Sequence, residues 1–301
     1  MCQNCNKNPV YELNGKEKLC KSCFIKYFEK KARKTIRVYN LINKKDKILV
    51  ACSGGKDSTI VLYLLNKIFK GNKVEAITTD VAIGSYSKKN LENLRKFCRG
   101  HKVILHETSF REEFGYGVCY LRDVLKEKGR ELNNCSICGV LRRSLWNKKA
   151  RELNATKLAT GHNLDDEAQS IVMNMFKNNI KTLAKLGPRT GVVEDKRFVP
   201  RIKLLYLLTE EETTLYSKLM NFPVVYERCP CSLHVYRRQI GDMLDAMEKQ
   251  HPGTKHSIVN SFLEIMPLLK ERYKEGKIGT CKLCKEPSAS DVCNVCKILK
   301  H

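Results

Sequence analysis

Residues 48–59 read "ILVACSGGKDST": a short apolar run, a glycine-rich turn and the opening of a helix. A buried strand that feeds such a turn presents backbone N–H groups at a helix N-terminus, an arrangement that holds an anion. The common nucleotide loop, G-x-x-x-x-G-K-[ST], does not fit here. Its first glycine would fall at Val50, and Asp57 stands where that loop needs the Ser or Thr that holds magnesium. The stretch therefore predicts a different phosphate cradle, with Gly54 and Gly55 at its centre and Asp57 placed to hold magnesium between phosphates. Such a loop suits the grip on a departing pyrophosphate. The plain alternative is a tight strand-to-helix turn with no ligand.

Outward from this stretch, apolar runs alternate with helical periodicity. "KILVAC" (47–52), "KVEAITTD" (73–80), "KVILHET" (102–108) and "KLATGH" (157–162) read as strands. Between and after them, "KDSTIVLYLLNKIF", "SKKNLENLRKFC", "REEFGYGVCYLRDVLKEKG", "CGVLRRSLWNKKARELN" and "NLDDEAQSIVMNMFKN" read as helices, and the pattern is helical again from Thr209. Residues 178–198 read as a basic loop free to move. The alternation predicts an α/β fold with a doubly wound parallel sheet. Ligands in such sheets sit beyond the carboxyl ends of the strands. "SGGKDS", Asp80 and "GHNLDD" all fall at those ends, so they are expected to line one crevice. "GHNLDD" also has a simpler reading, an N-capped helix with acids in its first turn.

The chain has 301 residues, enough for one large domain with small appendages. Its 56 Lys+Arg against 32 Asp+Glu give a net charge of +24, which favours a polyanionic partner such as nucleic acid. No basic-then-apolar leader opens it, and no apolar run nears the roughly 18 residues of a membrane span. A cytoplasmic protein with no membrane association is expected. In that reducing setting, fifteen cysteines point to metal ligation or redox chemistry and away from disulfides.

The cysteines fall into three groups. Cys2 and Cys5 form one CxxC, Cys20 and Cys23 a second, with a hairpin-like "ELNGKEK" between them. Cys281 and Cys284, then Cys293 and Cys296, repeat the pattern at the other end. Two such pairs place four thiolates about zinc, and four protein ligands close its shell against catalysis. The expected organisation is a zinc module at 1–30, a catalytic α/β domain with a helical C-terminal part at 31–270, and a second zinc module at 271–301. Basic, aromatic-interleaved "KSCFIKYFEKKARKTIRVY" follows the first pair set; it reads equally as an RNA-touching helix and as a solvated face. The third group, Cys135 and Cys138 with Cys229 and Cys231, suits an iron–sulfur cluster, a third zinc or a catalytic thiol pair. Cys52, Cys98 and Cys119 read as isolated.

"SGGKDS" resembles the PP-loop of ATP pyrophosphatases, which adenylate carbonyl or carboxyl oxygens. With "CSICGVLRR", "GHNLDDEAQ", "RCPCS" and the terminal CxxC pairs, the whole chain resembles the TtuA-type tRNA 2-thiouridine synthetases. Their relatives thiolate the wobble uridine of cytosolic tRNAs. The resemblance implies ATP-dependent exchange of a uridine C2 oxygen for sulfur, at position 34 by preference and at 54 as the alternative. It implies a 4Fe-4S cluster on Cys135, Cys138 and Cys229 with one iron open, and Asp166 near the reaction centre. ATP contacts are implied for Ala51, Ser53, Asp57, Asp80, Arg142 and Gly161, beside Gly54, Gly55 and Ser58 of the loop. Partners implied are tRNA, a sulfur donor (sulfide, a persulfide carrier or a ubiquitin-like thiocarboxylate) and a second copy of the chain. Two residues depart from the pattern. Arg142 stands where some members carry lysine, and it can clamp phosphate but not give up a proton. Cys231 adds a thiol where none is expected to ligate. Rival readings are an iron-free persulfide sulfurtransferase using Cys138 and Cys229, another PP-loop reaction such as amidation or lysidine formation on tRNA, and an RNA-binding zinc module with a degenerate loop.

Overall fold

The computed structural model describes residues 1–299, except 14, 16, 70–72, 194, 228, 233–235 and 275–277. The expected hairpin turn "ELNGKEK" loses Asn14 and Lys16 to those exceptions. Its flanks form an antiparallel pair, β1 (Pro9–Leu13) and β2 (Glu17–Cys20), which runs straight into helix α1 (Lys21–Val38).

The central strand β3 (Ile48–Ala51) is buried at all four positions. Its side chains alternate: Ile48 and Val50 join one core, Leu49 and Ala51 the other. A strand apolar on both faces belongs in the middle of a parallel sheet covered by helices on both sides. After α2 (Lys56–Ile68), β4 (Val74–Asp80), α3 (Gly84–Gly100) and β5 (Leu105–Ser109), the chain passes through α4 (Phe110–Phe114), α5 (Val118–Glu127) and α6 (Asn134–Glu152). It then returns to the far side of β3 as β6 (Lys157–Thr160), followed by α7 (Leu164–Phe176), α8 (Ile180–Leu183) and β7 (Arg201–Ile202). The sheet order is β5-β4-β3-β6-β7, and every pairing is parallel. The order reverses between β3 and β6, which opens a crevice at their carboxyl ends.

Helices α9 (Glu210–Leu219), α10 (Tyr236–Gln250) and α11 (Thr254–Arg272) complete the body. The chain ends in a small unit of β8 (Gly279–Thr280), β9 (Pro287–Ser288) and α12 (Asn294–Leu299). Arg197 ties that unit down by donating to the carbonyls of Ile278 and Gly279, and Arg151 pairs with Glu286. Ile298 packs against Leu121, Leu125 and Leu141.

Four expectations change. The helix expected over 111–129 is two, broken where Gly115 takes φ +79 and Gly117 caps the second. The strand expected from Lys102 begins at Leu105, because Lys102 itself adopts φ +55. The loop at 178–198 is ordered by α8, by a bridge from Arg189 to Ile202 and by Arg197. The aromatics of α1 face inward: Phe24 and Phe28 are fully buried, and Phe28 stacks on Tyr216 at 4.1 Å. Its basic residues Lys21, Lys26, Lys30, Arg33, Lys34 and Arg37 meet solvent, with Ser22 and Val38 at the two ends.

Candidate functional site

The turn after β3 is held by its own hydroxyls. Ser58 Oγ accepts from the Ser53 N–H at 3.2 Å and donates to the Gly55 carbonyl at 3.1 Å. Thr59 Oγ1 donates to the same carbonyl, and Ser53 Oγ accepts from the Gly55 N–H. Gly54 has φ +82, and a Cβ there would lie 2.6 Å from the Asn90 carbonyl oxygen. Gly161, at the end of β6, is pressed against the same loop: its Cβ would lie 2.7 Å from the Ser58 nitrogen. The two strand ends thus meet, and glycine is required at both contacts. Ala51 closes β3 beneath them.

Helices α7 and α9 each begin with a capping box, but α2 begins at Gly55 with no side-chain cap. The first-turn N–H groups of α2 have no side-chain cap, as at α1, α3, α5, α8 and α11, and the helix dipole there favours an anion. Lys56 Nζ bridges Asp57 at 2.7 Å and Glu210 at 2.9 Å, while Asn163 Nδ2 reaches Glu210 at 2.6 Å and Asp57 at 3.4 Å. Burial raises the Asp57 carboxyl above the usual aspartate value, with Lys56 pulling the other way. Asp80, at the end of β4, accepts from the Ala82 N–H at 2.8 Å.

Asp166 closes the α7 cap and also pairs with Arg237. One carboxylate oxygen closes the α7 cap by accepting from the Asn163 N–H, and the other accepts from Arg237 at 2.7 Å. Burial works to raise its pKa; Arg237, His162 and the cap outweigh burial, so the carboxyl lies below the usual value. His162, exposed beside it, lies 3.0 Å from Thr160 Oγ1 through Nδ1, and the protein packed around it together with Lys203, Arg237 and Arg201 holds its imidazole below the usual histidine value.

Cys135 and Cys138 lie one turn apart at the start of α6, and the short 3-10 turn Pro230–Ser232 brings Cys229 and Cys231 against them. The Cys135 thiol donates to the Cys231 carbonyl at 3.6 Å. Cys229 lies within the electrostatic reach of Cys135 and Cys138, and burial pushes it up to about 11. Burial also raises Cys135, against the pull of Arg142 and Arg237. Cys119, read as isolated, in fact faces Cys231, and Asn134 Nδ2 reaches its sulfur at 3.9 Å. The thiols join the phosphate loop through α3: Gly54 backs onto Asn90, Asn90 bonds the Tyr86 carbonyl, and Tyr86 faces Cys229 and Arg142.

Comparison with known proteins agrees with this geometry. A family model described as a PP-loop domain matches residues 26–199. The tRNA-5-methyluridine(54) 2-sulfurtransferase of Pyrococcus horikoshii is 34% identical over 297 residues, covering 98% of this chain and 92% of that protein. The tRNA 2-thiolation protein NcsA of Haloferax volcanii is 32% identical, covering 99% and 98%. The chain belongs to the PP-loop family, in its tRNA 2-thiolation branch. The solved U34-tRNA thiolase NcsA of Methanococcus maripaludis, with its 4Fe-4S cluster, superposes with a TM-score of 0.84 at 33% identity, covering 99% of this chain and 95% of that one.

In this PP-loop protein the cysteine groups differ in spacing. Zinc–sulfur bonds of about 2.3 Å set tetrahedral sulfurs about 3.8 Å apart. Cys5 lies 3.3 Å from Cys20 and 3.8 Å from Cys23; Cys281 lies 3.8 Å from Cys296, and Cys284 3.6 Å from Cys293. Both terminal sets can hold a metal ion, and among the described residues they are the sets whose ligand atoms all lie within 4.8 Å. The body thiols are not among those sets.

Sequence reading missed Lys56 as a tether, Glu210, Arg237 and the pair Arg143 and Arg201. Arg201 is half-buried, and desolvation with the nearby charge of the exposed Arg143 lowers its guanidinium to about 10; no carboxylate among the described residues pairs with either. Arg142 stacks over Trp146, and its Nε is buried with no partner among the described residues. The "CGVLRR" run hinted at Arg143; nothing local marks Glu210 or Arg237. No helix is long and apolar enough to cross a membrane.

Proposed function

We propose that the protein 2-thiolates a tRNA uridine, adenylating its C2 oxygen with ATP and replacing that oxygen with sulfur. The observation that carries this reading is the shared crevice: an uncapped phosphate loop and three convergent thiols joined through Asn90 and Tyr86. ATP phosphates rest on the N-terminus of α2, with Ala51, Ser53, Gly54, Gly55, Ser58, Asp80 and Gly161 shaping the site. Asp57 would hold magnesium, which would neutralise phosphate charge, and Lys56 keeps that carboxylate oriented. The uridine C2 oxygen attacks the α-phosphate, pyrophosphate leaves, and Arg142 stabilises the developing charge. Hydrosulfide then adds to C2, and the former C2 oxygen departs with AMP. Asp166, held ionised by Arg237, orients groups at the reaction centre.

Cys135, Cys138 and Cys229 would hold a 4Fe-4S cluster, which supplies the sulfur-carrying centre. Cys231, turned toward Cys119, stays outside that ligand set. The terminal sets hold zinc and act structurally. The iron-free alternative needs a reactive thiolate, and a Cys229 thiol near 11 is poorly ionised at neutral pH. We place the enzyme in the cytoplasm, as a homodimer, with its sulfur donor a sulfide, persulfide or thiocarboxylate source. Relatives are named for both uridines; position 34 is our choice, following the superposed U34 thiolase.

The test is an anaerobic reaction of cluster-loaded protein with unmodified tRNA, ATP, magnesium and sulfide, read by mass spectrometry of the digested tRNA. 2-Thiouridine at 34, with AMP formed in step, is the expected product. Sulfur at 54 keeps the chemistry and moves the target. A loaded, tRNA-bound enzyme that forms no thiouridine overturns the reading.

A further inference from the structure

Tyr116 and Tyr120 are 44% and 53% exposed, and their rings stack at 4.8 Å with planes 16° apart. Every other ring pair among the described residues includes at least one ring that is buried or partly buried. Two large rings held parallel in solvent bury each other's inner faces and leave an outer face bare. The break between α4 and α5 puts them there: Tyr116 lies between Gly115 and Gly117, and Tyr120 follows one turn into α5.

Their surroundings place them at the lip of the crevice. A Cβ on Gly117 would lie 3.4 Å from that of Ala82, the residue whose N–H binds Asp80. Cys119, between the two tyrosines, faces Cys231 and touches Asn134, next to Cys135. Arg142 and Arg237 lie inside, near Cys135. An uncharged aromatic shelf beside a cationic crevice matches single-stranded RNA, whose bases stack while its phosphates seek cations.

The geometry points to Tyr116 and Tyr120 as a stacking shelf for the base next to the target uridine, in a single-stranded loop of the tRNA. This inference rests on the proposed function and adds a substrate-holding element to it. Stacking on the shelf would keep the neighbouring base out of the crevice and let the target uridine turn in alone. The phenolic hydroxyls are not needed for that task.

The experiment measures binding of an anticodon stem-loop RNA and of a T-arm stem-loop RNA by fluorescence anisotropy. It compares the cluster-loaded wild-type protein with Tyr116→Ala/Tyr120→Ala and Tyr116→Phe/Tyr120→Phe. The alanine pair should weaken the anticodon loop by about 10- to 100-fold, as expected for loss of base–aromatic stacking. The slope of log Kd against log salt should stay unchanged, since no phosphate contact is lost. The phenylalanine pair should bind within about twofold of wild type, because its rings stack equally well. Equal binding by the alanine pair, or an equal loss in the phenylalanine pair, overturns the shelf while leaving the function intact. A T-arm loop that alone responds to the alanine pair overturns the shelf as an anticodon-loop element and reassigns it to position 54. A wild-type protein that binds neither RNA overturns the function and the shelf together. Alanine variants that keep RNA binding but lose self-association in sedimentation would assign the rings to a dimer contact, against the inference.

Discussion

The terminal cysteine sets and the central crevice use the same thiols to opposite ends. At the termini, the four sulfurs of each set lie within 4.8 Å of one another and can hold a metal ion, and the Cys293 N–H donates to Cys281 and the Cys296 N–H to Cys293. In the crevice, the α2 N-terminus has no side-chain cap, Arg142 Nε is buried with no partner among the described residues, and burial raises Cys229. Leaving buried polar groups unpaired costs stability, commonly about 1–3 kcal/mol each. A structural site satisfies itself, whereas a substrate site keeps bonds open for what it will bind.

The sharpest way to break this contrast is to remove the body thiols one at a time. Cys135→Ser, Cys138→Ser and Cys229→Ser should each lower thiolation by about 10³-fold or more, with iron content falling and tRNA affinity within about twofold of wild type. Retained activity in any of them removes that residue from the mechanism. Next comes the meeting of strand ends. Gly161→Ala forces a methyl against the Ser58 nitrogen and should cut kcat/KM for ATP by about 10²-fold, since small misplacements in a positioned site carry losses of that size. Little change would mean that the contact yields.

Cys281→Ser should leave the crevice chemistry in place at reduced level and release the C-terminal unit. Hydrogen exchange should rise over β8, β9 and α12, because metal binding supplies most of the folding free energy of so small a unit. Unchanged exchange would show that Arg197 and Ile298 suffice to hold it.

The smallest effect belongs to a satisfied group in the sheet. Glu75 is nearly buried and pairs with Lys47 at 3.2 Å and His106 at 2.8 Å. Burial works to raise its pKa, the two partners outweigh burial, and the net shift is downward. Its contribution is therefore present above the unfolded value of about 4.5 and fades as pH falls through the lower folded value. Glu75→Gln should destabilise by about 2 kcal/mol at pH 7, with the difference from wild type shrinking in acid and activity at permissive temperature unchanged. Thermal melts across pH check it, and a large activity loss would blur the contrast between closed and open sites.

Much of this arrangement was legible in local pattern. "ILVACSGGKDST" marks the central strand and its loop, and four CxxC pairs mark the terminal sets, because both signals lie within a few neighbouring residues. What escaped depends on distant partners. β7 is two residues long and exists through pairing with β6. Glu210 and Arg237 reach the loop and Asp166 from helices far along the chain. The aromatic spacing of α1 read equally as an RNA-touching helix and as a solvated face, yet Phe28 stacks on Tyr216 of α9; Tyr116 and Tyr120 carried no such signal and stand bare.

The embrace of α1 and α9 also has a consequence in time. Tyr216 donates to Glu29 across 187 residues of chain, and Phe28 lies under the same ring. A ribosome adding about 5–20 residues per second would need roughly 10–40 s to make that interval. Throughout it, the nascent α1 holds Phe24 against Tyr11 of the β1–β2 hairpin but presents Phe28 without its α9 partner Tyr216. The first helix made thus waits for almost the last third of the protein before its Phe28 face is closed.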